Sequence, residues 1–162
     1  MRQPTALKLH RSFCRLTRGV VTCAVAGTDL VHASKETLAI LANPEVTAID
    51  QDLGKDGAIQ GELVTPSAWR METAEVDPEV KSEVWVKQLA DGKSAAVALV
   101  NLGDAPAPSI HVTFAEAGLP SGVTTAKVRD LWKKADLGSE TGGFTAKDVP
   151  SHGSVFVKLT WD

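Results

Sequence analysis

The chain has 162 residues, 43% of them hydrophobic, enough to bury a real core in one domain or in one domain plus part of another. A formal charge of −3 and an isoelectric point near 5.8 argue against a dedicated nucleic-acid surface, and no run approaches the ~18 apolar residues that a membrane span needs. Cys14 and Cys23 are the only cysteines, so the second half is held by packing, and the four histidines lack zinc-site spacing. No metal or cofactor is expected.

Residues 1–22 carry Arg2, Lys8, Arg11, Arg15 and Arg18 and no acid. This stretch reads as a disordered basic leader, with an organellar transit peptide or a basic interaction tail as the functional alternatives. A secretory signal is disfavoured because no continuous apolar region follows the basic part. Val20 to Leu30 is a β-branched apolar run ending at Gly-Thr-Asp, the pattern of a buried strand.

Helix grammar follows. Ser34 stands at an N-cap position, Glu36 favours the positive end of the helix dipole, and Leu38, Leu41 and Ala42 form a stripe. Asn43-Pro44 stops that helix and opens a second short one, running to about Ile49. The chain then leaves through Asp50-Gln51-Asp52-Leu53-Gly54.

From Gly61 the pattern changes to short strands between turn residues. Glu62 to Thr65 reads as an edge strand, and Pro66 to Pro78 as a polar connection. Ser82 to Leu89 and Ser94 to Leu102 flank an Asp91-Gly92 hairpin turn. Gly103 to Pro108 is a turn in which proline breaks the ladder, and Ser109 to Phe114 is the next strand. Phe114 to Gly118 fits one helical turn. Val123 to Trp132, Thr141 to Asp148 and Ser154 to Trp161 complete the set. Gly153, in the Pro150-Ser151-His152-Gly153 turn, is expected to supply a conformation that side chains resist. The whole predicts a mainly β protein, an antiparallel Greek-key-like sandwich of about 100 residues with its core over about 82–160.

Three segments together resemble the α-galactosidases of glycoside hydrolase family 27 across residues 24–160. They are TDLVHASKETLAILANPEVTAIDQD, EVWVKQLADGKSAAVALVNLGDAP and KVRDLWKKADLGSETGGFTAKDVPSHGSVFVKLT. The resemblance implies that residues 23–60 are the end of a (β/α)₈ barrel and residues 61–162 a C-terminal β-sandwich. It also implies an α-galactoside as substrate of the full-length enzyme, and a secreted or lysosomal location.

Such enzymes use two aspartates on earlier barrel strands, and a retaining pair needs carboxyls about 5 to 5.5 Å apart. Neither family motif occurs here, and Asp77-Pro78 lacks the flanking pattern. No catalytic, substrate-binding or metal residue is therefore assigned. A barrel takes about 200 to 250 residues, so the chain is expected to hold only the last barrel unit and to be inactive alone. Ala26, Gly27 and Thr28 fall where the last barrel strand would meet the sugar pocket. Two departures mark this sequence: Asp52 runs straight into Leu53 without the usual proline, and the expected approach upstream of Cys23 is absent.

Other residues invite functional readings. Asp50 and Asp52 read as a solvated exit turn more readily than as a carboxylate pair. Trp69, Trp85, Trp132 and Trp161 read as packing before they read as a sugar platform. His111 and His152 read as surface or turn residues. The alternative function is a stand-alone carbohydrate-binding or interaction sandwich; a further one is a small organelle-targeted β-protein of unrelated role. With its barrel partners absent, Leu38, Ile40 and Leu41 are expected to stay partly exposed.

Overall fold

The computed structural model describes residues 32–57, 60–65, 69–70, 75–76 and 80–162. The expected leader, the strand at 20–30, both cysteines, Ala26 to Thr28 and Asp77-Pro78 lie outside them, as does the side chain of Trp69.

Two helices come first: α1 (Lys35–Leu41) and α2 (Pro44–Gln51). The Ser34 hydroxyl accepts from the Thr37 amide at 3.1 Å, and the Asn43 side chain accepts from the Glu45 amide at 3.1 Å, with Pro44 at the first helical position. Local cap chemistry therefore sets both helix starts, as the sequence predicts. Leu38 is exposed, and Ile40 and Leu41 are half-buried.

Ten strands follow: β1 (Glu62–Leu63), β2 (Trp69–Arg70), β3 (Glu75–Val76), β4 (Ser82–Gln88), β5 (Ser94–Asn101), β6 (Ala107–Thr113), β7 (Thr125–Asp130), β8 (Ala135–Thr141), β9 (Gly143–Val149) and β10 (Ser154–Thr160). A six-stranded antiparallel sheet has the order β1-β4-β5-β10-β7-β8, and β6 and β9 form a separate antiparallel pair. β2 and β3 pair within the expected polar connection. The mainly β, antiparallel sandwich is the fold observed.

Alternation along the central strands decides what covers each face. Val84, Val86, Val97, Leu99, Val128, Val157 and Leu159 cluster with Ile110, Val112, Phe144 and Ala146 of the β6–β9 pair to make the main core. The intervening residues face the other way. There Leu89, Ala96 and Leu131 meet Val46 and Ile49 of α2, with Trp132 and Phe156 alongside. The central sheet is thus covered on both faces, by the β6–β9 pair on one and a helix on the other.

Several local expectations are corrected. β8 falls between the expected strands at 123–132 and 141–148; all but its first residue is exposed, so it carries no hydrophobic period from which a strand can be read. The segment from Phe114 does make the single helical turn expected of it, with the Ala117 amide on the Thr113 carbonyl. The strand expected to reach Trp132 ends at Asp130, whose carboxylate accepts from the Lys133 amide at 2.8 Å and turns the chain into β8.

Pro108 lies inside β6 instead of ending the preceding turn. It is tolerated because its position is skipped in the β6–β9 register, opposite Asp148 with its φ of 50°. In the turn before β10 the left-handed residue is His152, with φ 53°, and not Gly153. Gly153 is required for closeness: a Cβ there would lie 3.0 Å from the Pro150 carbonyl oxygen. Gly143 is tighter still, its Cβ position 2.5 Å from the Val112 carbonyl oxygen.

Leu99 is fully buried and Leu137 is 44% exposed. Leu99→Ala is expected to cost about 2–5 kcal/mol in urea unfolding. Leu137→Ala should stay within about 0.5 kcal/mol of the parent.

Candidate functional site

The sequence candidates do not converge. Asp52 is the C-cap of α2, and its Oδ1 accepts from the Gly54 amide at 2.7 Å and the Ala90 amide at 2.9 Å. That carboxylate joins the helix exit to the β4–β5 hairpin, so its role is structural and it is more than a solvated turn residue. Asp50 lies half-buried in α2.

Trp161 belongs to the main core, and Trp132 packs on Phe156 with ring centroids 5.9 Å apart at 51°. Trp85 is half-buried, and its indole N–H donates to Glu83 at 3.2 Å. The side chains of Trp132 and Trp161 are thus spent on packing, against helix and core respectively. An open cleft of about 300 Å³ runs beside Phe114, Leu119, Val123 and Thr141, and no ionisable side chain lines it.

His111 and His152 each meet a side chain across strands or turns. The His111 ring lies 2.8 Å from the Thr145 hydroxyl, and the His152 ring 3.1 Å from the Asp104 carboxylate, both at the surface. Ser151 adjoins His152, but its hydroxyl donates to the Gly103 carbonyl at 3.0 Å. A Ser-His-Asp relay requires that proton to point at the imidazole, so these three residues are not a nucleophilic triad. Among the described residues no three or more His, Cys, Asp or Glu side chains gather to hold a metal.

The polar constellation that is built lies between α2 and the sheet. At the N-terminal end of α2, the Asn43 side-chain amide donates to the Leu131 carbonyl at 2.8 Å. Arg129 of β7 grips Glu45 through two hydrogen bonds of 2.7 Å, and also donates to Asp136 and the Lys134 carbonyl. At the C-terminal end, buried Lys87 of β4 donates to the carbonyls of Ile49 and Asp52, each at 2.7 Å. A cation there satisfies carbonyls that the last helical turn leaves open and complements its dipole. Burial pushes the Lys87 amine below its ordinary pKa, against the opposing pull of Asp52 and Asp50.

A second buried polar centre closes the other end of the sandwich. The Asn101 amide nitrogen reaches the carbonyls of Ala105, Val149 and Pro150, and its oxygen accepts from the Gly103 amide. Among the described residues no buried side-chain nitrogen or oxygen lacks a hydrogen-bond partner. These groups are committed to structure. Sequence reasoning missed Lys87, Asn101 and the Arg129–Glu45 pair. A lysine and an arginine inside otherwise strand-like runs were the available signal.

Residues 79–159 match the sequence model of the α-galactosidase C-terminal β-sandwich domain. The chain belongs to that family. The α-galactosidase of Coffea arabica is 33% identical over 157 residues, covering 96% of this chain and 35% of that protein. The crystal structure of α-galactosidase I from Mortierella vinacea superposes with a TM-score of 0.64 at 26% identity, covering 82% of this chain and 30% of that one. A family 27 β-L-arabinopyranosidase from Geobacillus stearothermophilus gives 0.64 at 26% identity, over 82% and 26%. The chain spans about a third of the length of the curated relatives it matches.

Within this family's sandwich, the Arg129–Glu45 tie has a pH signature. The hydrogen bond from Arg129 holds the Glu45 carboxyl below its usual value of 4.5. A folded-state pKa below the unfolded one adds stability above the unfolded value and loses it as pH falls through the folded value. The stability difference between the parent and Glu45→Gln, measured by urea unfolding, should therefore be constant near neutrality and shrink below about pH 4.5.

Proposed function

We propose that this chain is the C-terminal, non-catalytic portion of an α-galactosidase-like glycoside hydrolase, the whole of which removes terminal α-galactosyl residues. Residues 23–60 are then the end of its barrel and residues 61–162 its C-terminal sandwich. The observation that carries this reading is the reach of the Coffea arabica match, which takes in the helical segment together with the sandwich. A stand-alone sugar-binding module would need only the sandwich.

The site chemistry supports the same assignment. Cleaving a glycosidic bond with retention takes two carboxyls facing each other across the sugar. Here the carboxylates of Asp52, Glu45 and Asp130 are each used to tie backbone or arginine. The α-galactosidase and the β-L-arabinopyranosidase share this sandwich although their names give different sugars. This supports a sandwich that does not itself choose the sugar, with an α-galactoside as the proposed substrate of the whole protein here.

The purified 162-residue chain is expected to show no turnover of a chromogenic α-galactoside, and clear hydrolysis would overturn the non-catalytic assignment. Titration with galactose or melibiose should leave tryptophan fluorescence flat. A saturable change would favour the carbohydrate-binding alternative.

A further inference from the structure

We infer that α2 is a permanent third layer of the sandwich, so that the C-terminal folding unit begins at Asn43 and not at Gly61, with the joint to whatever precedes it between α1 and α2. This inference rests on the fold and is independent of the glycosidase reading.

The outer face of the sheet is shaped for this one helix. Val46 and Ile49 enter an apolar patch made by Leu89, Ala96 and Leu131, and the small side chain of Ala96 leaves room for the helix to approach. The patch is closed at both ends by groups that recognise helix termini and nothing more general. Asn43 caps α2 with its oxygen while its nitrogen holds the Leu131 carbonyl, so one side chain starts the helix and docks it. Lys87 occupies the other end, with its amine on two carbonyls of the helix exit. A buried lysine is costly unless its donors are used. Removing α2 would return that amine to water but expose the apolar patch of Leu89, Ala96 and Leu131, so the sheet requires the helix as cover and the lysine fixes it in place.

α1 differs. Its described side-chain hydrogen bonds run between Ser34 and Thr37, within its own first turn. Leu38 is 39% exposed, Lys35, Glu36 and Ala39 are exposed as well, Ile40 and Leu41 are half-buried, and Thr37 alone is buried. The two helices meet at Asn43, whose amide still donates to the Ile40 carbonyl at 3.3 Å, a weak bond at the point where Pro44 breaks helical continuity. α1 therefore opens without the sandwich, and α2 opens only with it.

Lys87 thus anchors the C-terminal end of α2, while Asn43 and Arg129 hold the end at which the upstream chain joins. Hydrogen exchange on the full 162-residue chain tests this. Amides of residues 47–51 should exchange as slowly as those of residues 96–99 in β5, and amides of residues 38–41 at least about a hundredfold faster. Lys87→Met should speed exchange in 47–51 and in 96–99 by the same factor, about tenfold or more, while leaving 38–41 unchanged. Glu45→Gln, which keeps the shape of the side chain and spares the buried amine, should give the same pattern with a smaller factor. Exchange of 47–51 at the rate of 38–41 in the parent chain would overturn the inference. So would either variant that freed 47–51 while 96–99 kept its rate.

Discussion

The six-stranded sheet has two apolar faces, and everything else follows from covering both. β5 states the problem in one strand: Ser94 to Val97 are buried without a break, and Leu99 and Asn101 are buried beyond them. A strand of that kind does not face water on either side. The β6–β9 pair solves one face by supplying Ile110, Val112, Phe144 and Ala146. The other face is solved by eight residues of helix whose two buried apolar side chains, Val46 and Ile49, offer modest area. So short a helix is marginal by propensity alone. The polar ties at its two ends supply what its area does not.

The same commitment of polar groups explains what the chain does not do. Catalysis needs side chains held in place but left unsatisfied until substrate arrives. Here Asn101, Lys87, Asp52, Asp130 and Arg129 are satisfied by the fold itself. Two of the tryptophans, Trp132 and Trp161, are placed against Phe156 and in the core. What the chain presents is a rigid platform carrying a helix. That suits a third of an enzyme whose chemistry lies elsewhere.

Much of this was legible in the sequence because it rests on local chemistry. The Ser34 and Asn43 caps, Pro44, the Asp91-Gly92 turn and the apolar runs of β4, β5 and β10 each announce themselves within a few residues. β8 does not, because an edge strand exposed on both faces has no period to read. The α2 ties were illegible for a different reason. Asn43 and Leu131 are 88 residues apart, Glu45 and Arg129 84, and Lys87 and Ile49 38, so only the tertiary fold brings them together. The Pro150 turn shows a third kind of failure. Glycine was credited with the unusual backbone, whereas His152 adopts it and Gly153 answers a close carbonyl.

The central claim is that this chain contributes architecture, and not chemistry, to a family 27 glycosidase. The most direct measurement joins it to chemistry supplied from outside. The C-terminal third of the Coffea arabica α-galactosidase would be replaced by residues 43–162 of this chain, and kcat measured on a chromogenic α-galactoside. The account predicts a folded chimaera with kcat within about tenfold of the parent enzyme, a difference of about 1.4 kcal/mol in the barrier. A folded chimaera with no turnover would contradict it.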